Sequence, residues 1–141
     1  MRMVALVLVV LGAFFSLAGG QKAPGTMELL NTPVYGGMVE IHVYLPHKYR
    51  MANSVLKCGQ FQADGNYRHT LIQEQWLNRP YDKGNLDIIE TFGPLQSDQY
   101  SEVPWDSARS ATCMAVAYQD WPGKPPFYIT NEVRFTVEAV Q

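Results

Sequence analysis

The feature that most restricts this chain is an alternation of apolar and polar side chains with period two. Val39, Ile41, Val43 and Leu45 are separated by Glu40, His42 and Tyr44. Successive side chains of a strand point to opposite faces, so such a run has one face to bury and one to leave in water. Near the C-terminus Val133, Phe135, Val137 and Ala139 alternate with Glu132, Arg134, Thr136 and Glu138. A slip of one residue would expose that whole apolar set, so the register is well specified. No segment carries a long helical period.

Further strands follow from the punctuation. Pro46 ends the strand predicted over 37–45, because proline cannot donate to a ladder. Residues 55–62 and 67–77 read as strands on either side of Asp64-Gly65. An Asp-Gly pair between β-prone runs predicts a hairpin with a two-residue type I′ turn. That turn would set Cys58 opposite Leu71. Residues 78–85 are turn chemistry, and 86–92 form a short apolar strand. Residues 93–109 carry Gly93, Pro94 and Pro104 and no period. They read as a long loop with one helical turn at most, near 106–109, and long loops are often functional. A strand over 111–119 puts Ala111, Cys113, Ala115 and Ala117 on one face. After the turn residues Pro122, Gly123, Pro125 and Pro126, the last strand is predicted over 127–140.

Cys58 and Cys113 are the chain's two cysteines. They stand behind an apparatus for export. Arg2 gives a positive start, residues 4–17 are uncharged and mostly apolar, and Ala18, Gly19 and Gly20 are small. This is the anatomy of a signal peptide over 1–20, cleaved after Ala18 or, better, after Gly20. Its apolar core falls short of the roughly 20 residues that span a bilayer. An even cysteine count in an exported chain predicts a disulfide, here worth about 4 kcal/mol in the chain-entropy model. The expected location is secreted or periplasmic, with no membrane span in the mature chain.

Cleavage leaves about 120 residues, enough for one domain with its own core. Residues 21–36 read as an extended N-terminal segment and 37–141 as a single domain. Its six or seven short antiparallel strands predict an all-β sandwich, with a small β-barrel as the alternative. In size, strand number and a cysteine pair able to bridge two sheets, the chain resembles immunoglobulin-like domains. Trp76 and Ala111 depart from that family's tryptophan and tyrosine positions, so the resemblance is architectural.

The full chain has a net charge of −2, and losing Arg2 makes it one unit more acidic. Nucleic acid and anionic membrane surfaces need a basic footprint and are not expected partners. His42, His47 and His69 are scattered, with no nucleophile signature beside them. Glu90, Glu102 and Asp106 lie around the long loop, but carboxylate separation cannot be read from sequence. Asp82, Asn85 and Asp87 lack the closing bidentate Glu of a calcium loop and read as a solvated turn. No catalytic set, metal site or cofactor is predicted. Aromatic side chains are the stronger signal: Tyr81, Tyr100, Trp105, Trp121, Phe127 and Tyr128 fall in or beside turn-rich segments. Large aromatics on loops supply contact area at low entropy cost. The chain is expected to be a non-enzymatic exported binding module for a protein partner: an envelope component, an adhesin-like module or a secreted inhibitor. A carbohydrate-binding module is the alternative, and a small secreted hydrolase the second alternative.

Overall fold

The computed structural model of the protein describes residues 22–49, 51–77, 84–120 and 122–141. The signal peptide expected over 1–20 lies outside the described residues, as do Tyr81 and Trp121. Among the described residues the strands in chain order are β1 (Thr26–Leu29), β2 (Val39–Leu45), β3 (Asn53–Phe61), β4 (Tyr67–Trp76), β5 (Leu86–Phe92), β6 (Ala111–Gln119), β7 (Phe127–Tyr128) and β8 (Val133–Val137). One short 3-10 turn covers His47–Tyr49. The strands form two antiparallel sheets. One has the order β1-β2-β5; the other runs β4-β3-β6, with β7 and β8 both paired to β6. The two sheets face each other over a shared core that includes Ile41, Leu45, Leu56, Leu71 and Phe92, each fully buried. This is a sandwich and not a closed barrel. Each such side chain contributes about 1.5–3 kcal/mol through burial.

β2 keeps its predicted alternation, with Val39, Ile41, Val43 and Leu45 inside. β1 lies within the segment expected to be merely extended. Four residues are too few to show a period, and the strand exists because it pairs with β2 from Thr26↔Tyr44 to Leu29↔Ile41. The final strand is broken where the sequence predicts continuity. Between β7 and β8 the buried Thr130 turns its hydroxyl into the ladder, accepting from the Ala117 N–H at 3.0 Å.

The hairpin differs in an instructive way. Gln62 N–H donates to Asn66 O at 2.8 Å, so the loop holds the three residues between them. Gly65 has φ of 85°, and among the described residues no non-glycine has positive φ. This is a type I turn completed by a left-handed glycine, not a type I′ turn. The longer loop shifts the register by one, pairing Phe61 with Tyr67 and Gly59 with His69. A bulge that leaves Thr70 as the extra residue on β4 shifts it back. Cys58 therefore does lie opposite Leu71.

Cys58 and Cys113 form a disulfide. It does not bridge the sheets, as the immunoglobulin resemblance implies. The two residues are direct cross-strand partners on β3 and β6, with Cα atoms 4.0 Å apart. The bond staples the centre of the larger sheet.

Side-chain amides stitch the seams. A carboxamide sets N–H donors beside a carbonyl acceptor, so it can pair with both the N–H and the C=O of one residue's backbone. Asn131 accepts from Met27 N–H at 2.9 Å and donates to Met27 O at 3.0 Å, tying β1 to the start of β8. Gln73 accepts from Gly93 N–H at 2.8 Å and donates to Gly93 O at 3.0 Å, tying β4 to the end of β5. Gln60, 3 % exposed, accepts from Asp106 N–H and donates to Asp106 O, both at 2.9 Å. Its amide also reaches the carbonyls of Arg109 and Ser110. The long loop from Gly93 to Ser110 carries no strand or helix, yet it is fixed at many points. Leu95 and Trp105 anchor it in the core.

Candidate functional site

The registers align side chains into rows across the outer face of the larger sheet. Trp76, Asn53, Tyr118 and Tyr128 form one row. Glu74, Val55 and Val116 form the next, then Ile72, Lys57, Met114 and Arg134. His69, Gly59, Thr112 and Thr136 close the series. An antiparallel sheet with one face in water normally alternates apolar-in and polar-out. Here the outer face has an apolar cluster of its own: Val55 (7 % exposed), Val116 (1 %) and Tyr118 (8 %), with Ile72 and Met114 packed against it. Tyr118 O–H donates to the Glu74 carboxylate. Trp76 and Tyr128 flank the cluster and stay exposed. A pit of about 190 Å³ lies among Val55, Lys57, Glu74, Val116, Tyr118 and Tyr128.

At the other end of the face the floor is built by a close approach. A Cβ at Gly59 would stand 2.5 Å from the Tyr67 ring. Only glycine there lets Tyr67 lie across β3 and bring its hydroxyl to 2.9 Å from Thr112 Oγ1 on β6. Phe61 and His69 hold the ring edge-on, with centroids 5.3 and 5.8 Å away. An open cleft of about 420 Å³ is lined here by Lys57, Tyr67, His69, Thr112, Met114 and Arg134.

The outer face of the smaller sheet is different. It presents Glu28, Glu40, His42, Tyr44, Asp87, Ile89 and Thr91, with His42 Nε2 bonded to Asp87 at 2.5 Å. The strand residues of that face are mostly polar and acidic and include no lysine or arginine.

Of the aromatics expected to form the site, Phe127 and Tyr128 are exposed beside β6, where Phe127 lies 6.4 Å from Tyr49. Tyr100 is 64 % exposed on the long loop, by a cleft of about 680 Å³ next to Ile72 and Glu74. Trp105 is corrected from binding loop to core: it is 7 % exposed and packs edge-on against Tyr35 at 5.7 Å. Its indole anchors the loop from within and offers no surface. Sequence reasoning missed Trp76, Tyr67, Ile72, Met114, Val116 and Tyr118. The signal was available in β6, where Met114, Val116 and Tyr118 make the second face of the strand as apolar as the alanine face.

The three histidines sit apart: His42 with Asp87, His47 with Gly84 O and Asn85, and His69 with Glu102. Glu90 faces the interior of the smaller sheet, while Glu102 and Asp106 bond to His69 and to Gln60. Among the described residues no group of three or more His, Cys, Asp or Glu is placed to hold a metal ion. No helix there is long and apolar enough to cross a membrane.

Glu102 fastens the long loop to the edge of β4. Its carboxylate accepts from the His69 N–H at 2.9 Å, and its own N–H donates to His69 O at 2.8 Å. The bond from the His69 backbone holds the carboxyl below its ordinary value of 4.5; slight desolvation opposes this and the charge on the imidazole adds to it. A depressed folded-state pKa gives stability that is complete above the unfolded-state value and is lost as pH falls through the folded-state value. The His69 amide proton resonance is therefore expected to titrate below pH 4.5. In Glu102→Gln it should not move there. An unchanged titration in that variant would show that another group drives it.

The fold and face define a class: a disulfide-stapled antiparallel β-sandwich with an apolar outer sheet face. No family model, curated protein or solved structure matches the chain.

Proposed function

We propose that the protein is an exported, non-enzymatic binding module that docks a protein partner on the outer face of its larger sheet. The single observation behind this is the second apolar cluster on a sheet face over which no further strand layer lies among the described residues, flanked by exposed Trp76 and Tyr128. Interfaces draw their energy from such aromatic anchors around a desolvated centre. The disulfide supports export, since such bonds persist in oxidising compartments. In this reading the aromatic contacts lie on the sheet face and not on the loops. Tyr128 and Phe127 lie at its rim, and Tyr100 lies beyond the β4 edge.

Trp76→Ala combined with Tyr128→Ala is expected to lower partner affinity at least a hundredfold, about 2.7 kcal/mol, while moving Tm little, since both side chains are exposed. Ile89→Ala on the opposite face should leave binding unchanged. Equal binding by the two variants in calorimetric titrations would remove the outer face as the site. A glycan that quenches Trp76 fluorescence with saturable affinity would favour the carbohydrate alternative, for which the same aromatics would serve as platforms.

A further inference from the structure

We infer that the row Lys57–Met114–Arg134 anchors an acidic segment of an extended polypeptide, an inference that rests on the outer face being the docking surface. The first argument is charge. Lys57 is half-buried between Ile72 and Met114, and it forms no ion pair among the described residues. Arg134 stands on the far side of Met114 with its guanidinium ion-paired to Glu132 at 2.7 Å, so Lys57 is the cation on which the anchor rests. Neighbouring strands are about 4.8 Å apart, so the backbones of Lys57 and Arg134 flank that of Met114 at about 10 Å from each other. A carboxylate lying over Met114 is within reach of the Lys57 ammonium. His69, Thr112 and the Tyr67 hydroxyl border the same cleft and supply further polar contacts. The opposite face of the sandwich, with Glu28, Glu40 and Asp87, would repel the same segment.

The second argument is spacing. Successive rows on the face are two residues apart along the strands, about 7 Å. Alternate side chains of an extended peptide repeat at that same distance. A peptide running along the strands thus places its acidic residue at the Met114 row. Its next two inward side chains fall on the Val55–Val116 and Tyr118–Tyr128 rows, which are apolar and aromatic. A sugar chain would need hydroxyl partners along this stretch. The carboxylate there, Glu74, already accepts from Tyr118.

The test uses two short synthetic peptides that alternate apolar residues with Thr, one ending in Glu-Glu and the other in Lys-Lys. Each is titrated into the full disulfide-bonded chain labelled at the methionine methyl groups. The Glu peptide is expected to shift the Met114 methyl resonance and to bind at least tenfold tighter than the Lys peptide. Raising the salt concentration should shrink that difference. Lys57→Glu should reverse the preference. Lys57→Met, which keeps the aliphatic stem over the sheet, should abolish the preference without loss of Tm. Equal binding of the two peptides, no shift at Met114, or an unchanged preference in Lys57→Glu would overturn the acidic anchor. So would a Met114 shift caused by polygalacturonate and not by the Glu peptide. Equal binding of both peptides at Met114 would leave the face itself standing as a docking surface. Partner binding that survives Trp76→Ala with Tyr128→Ala would remove the face.

Discussion

Reducing the Cys58–Cys113 bond is expected to lower the free energy of unfolding by about 4 kcal/mol. The sequence separation of 55 encloses β4, β5 and the long loop within one covalent ring. Opening that ring restores entropy to the unfolded chain. The folded sheet loses little, because β3 and β6 remain paired from Asn53↔Tyr118 to Gly59↔Thr112. Urea melts with and without a thiol reductant measure the difference directly. With native stabilities of 5–15 kcal/mol, the reduced form is expected to be marginal but still folded in the cold. A loss below about 1 kcal/mol would mean that the unfolded chain is already compact across this span.

Gln60→Leu is expected to destabilise the protein by about 3 kcal/mol. The change is nearly isosteric, so packing alone would make it mild. The cost comes from the backbone it strands. The Asp106 N–H loses its acceptor, and the carbonyls of Asp106, Arg109 and Ser110 lose a donor. Gln60→Glu sharpens the test, because it keeps the acceptor and removes the donor. At neutral pH a carboxylate then faces those carbonyls, and the loss should be at least as large. On acidification a protonated carboxyl regains a donor, so the loss should shrink. Denaturant melts of both variants at neutral and acid pH check this. A loss under about 1 kcal/mol in Gln60→Leu would show that the loop is held by Leu95 and Trp105 without the amide.

These two effects also mark what could be read from the chain. β2 and β8 were legible because each has one wet and one dry face, which writes a period of two into the sequence. The cysteine pair was legible as a bond, yet its position inside one sheet was not, since strand order is set by non-local pairing. The partner of Cys58 was legible for a different physical reason than the turn chemistry gives: a longer loop and a bulge at Thr70 offset each other. β1 was illegible because four residues paired on one side carry too little pattern. The stitching amides Gln60, Gln73 and Asn131 read as ordinary polar residues, because nothing local distinguishes a glutamine that replaces a strand. The outer face was hidden by the assumption that aromatics which bind sit on loops. Trp105 is on a loop and buried, whereas Tyr67 and Trp76 are on strands and exposed.

Site-specific photocrosslinking tests that surface most directly. A benzoylphenylalanine at Ile72 or Tyr128 probes the outer face of the larger sheet, and one at Ile89 probes the polar face opposite. The expected result is one partner adduct of the same mass from positions 72 and 128, and none from 89. Adducts from Ile89, or from Tyr100 on the long loop with none from 72 and 128, would contradict the outer sheet face as the binding surface.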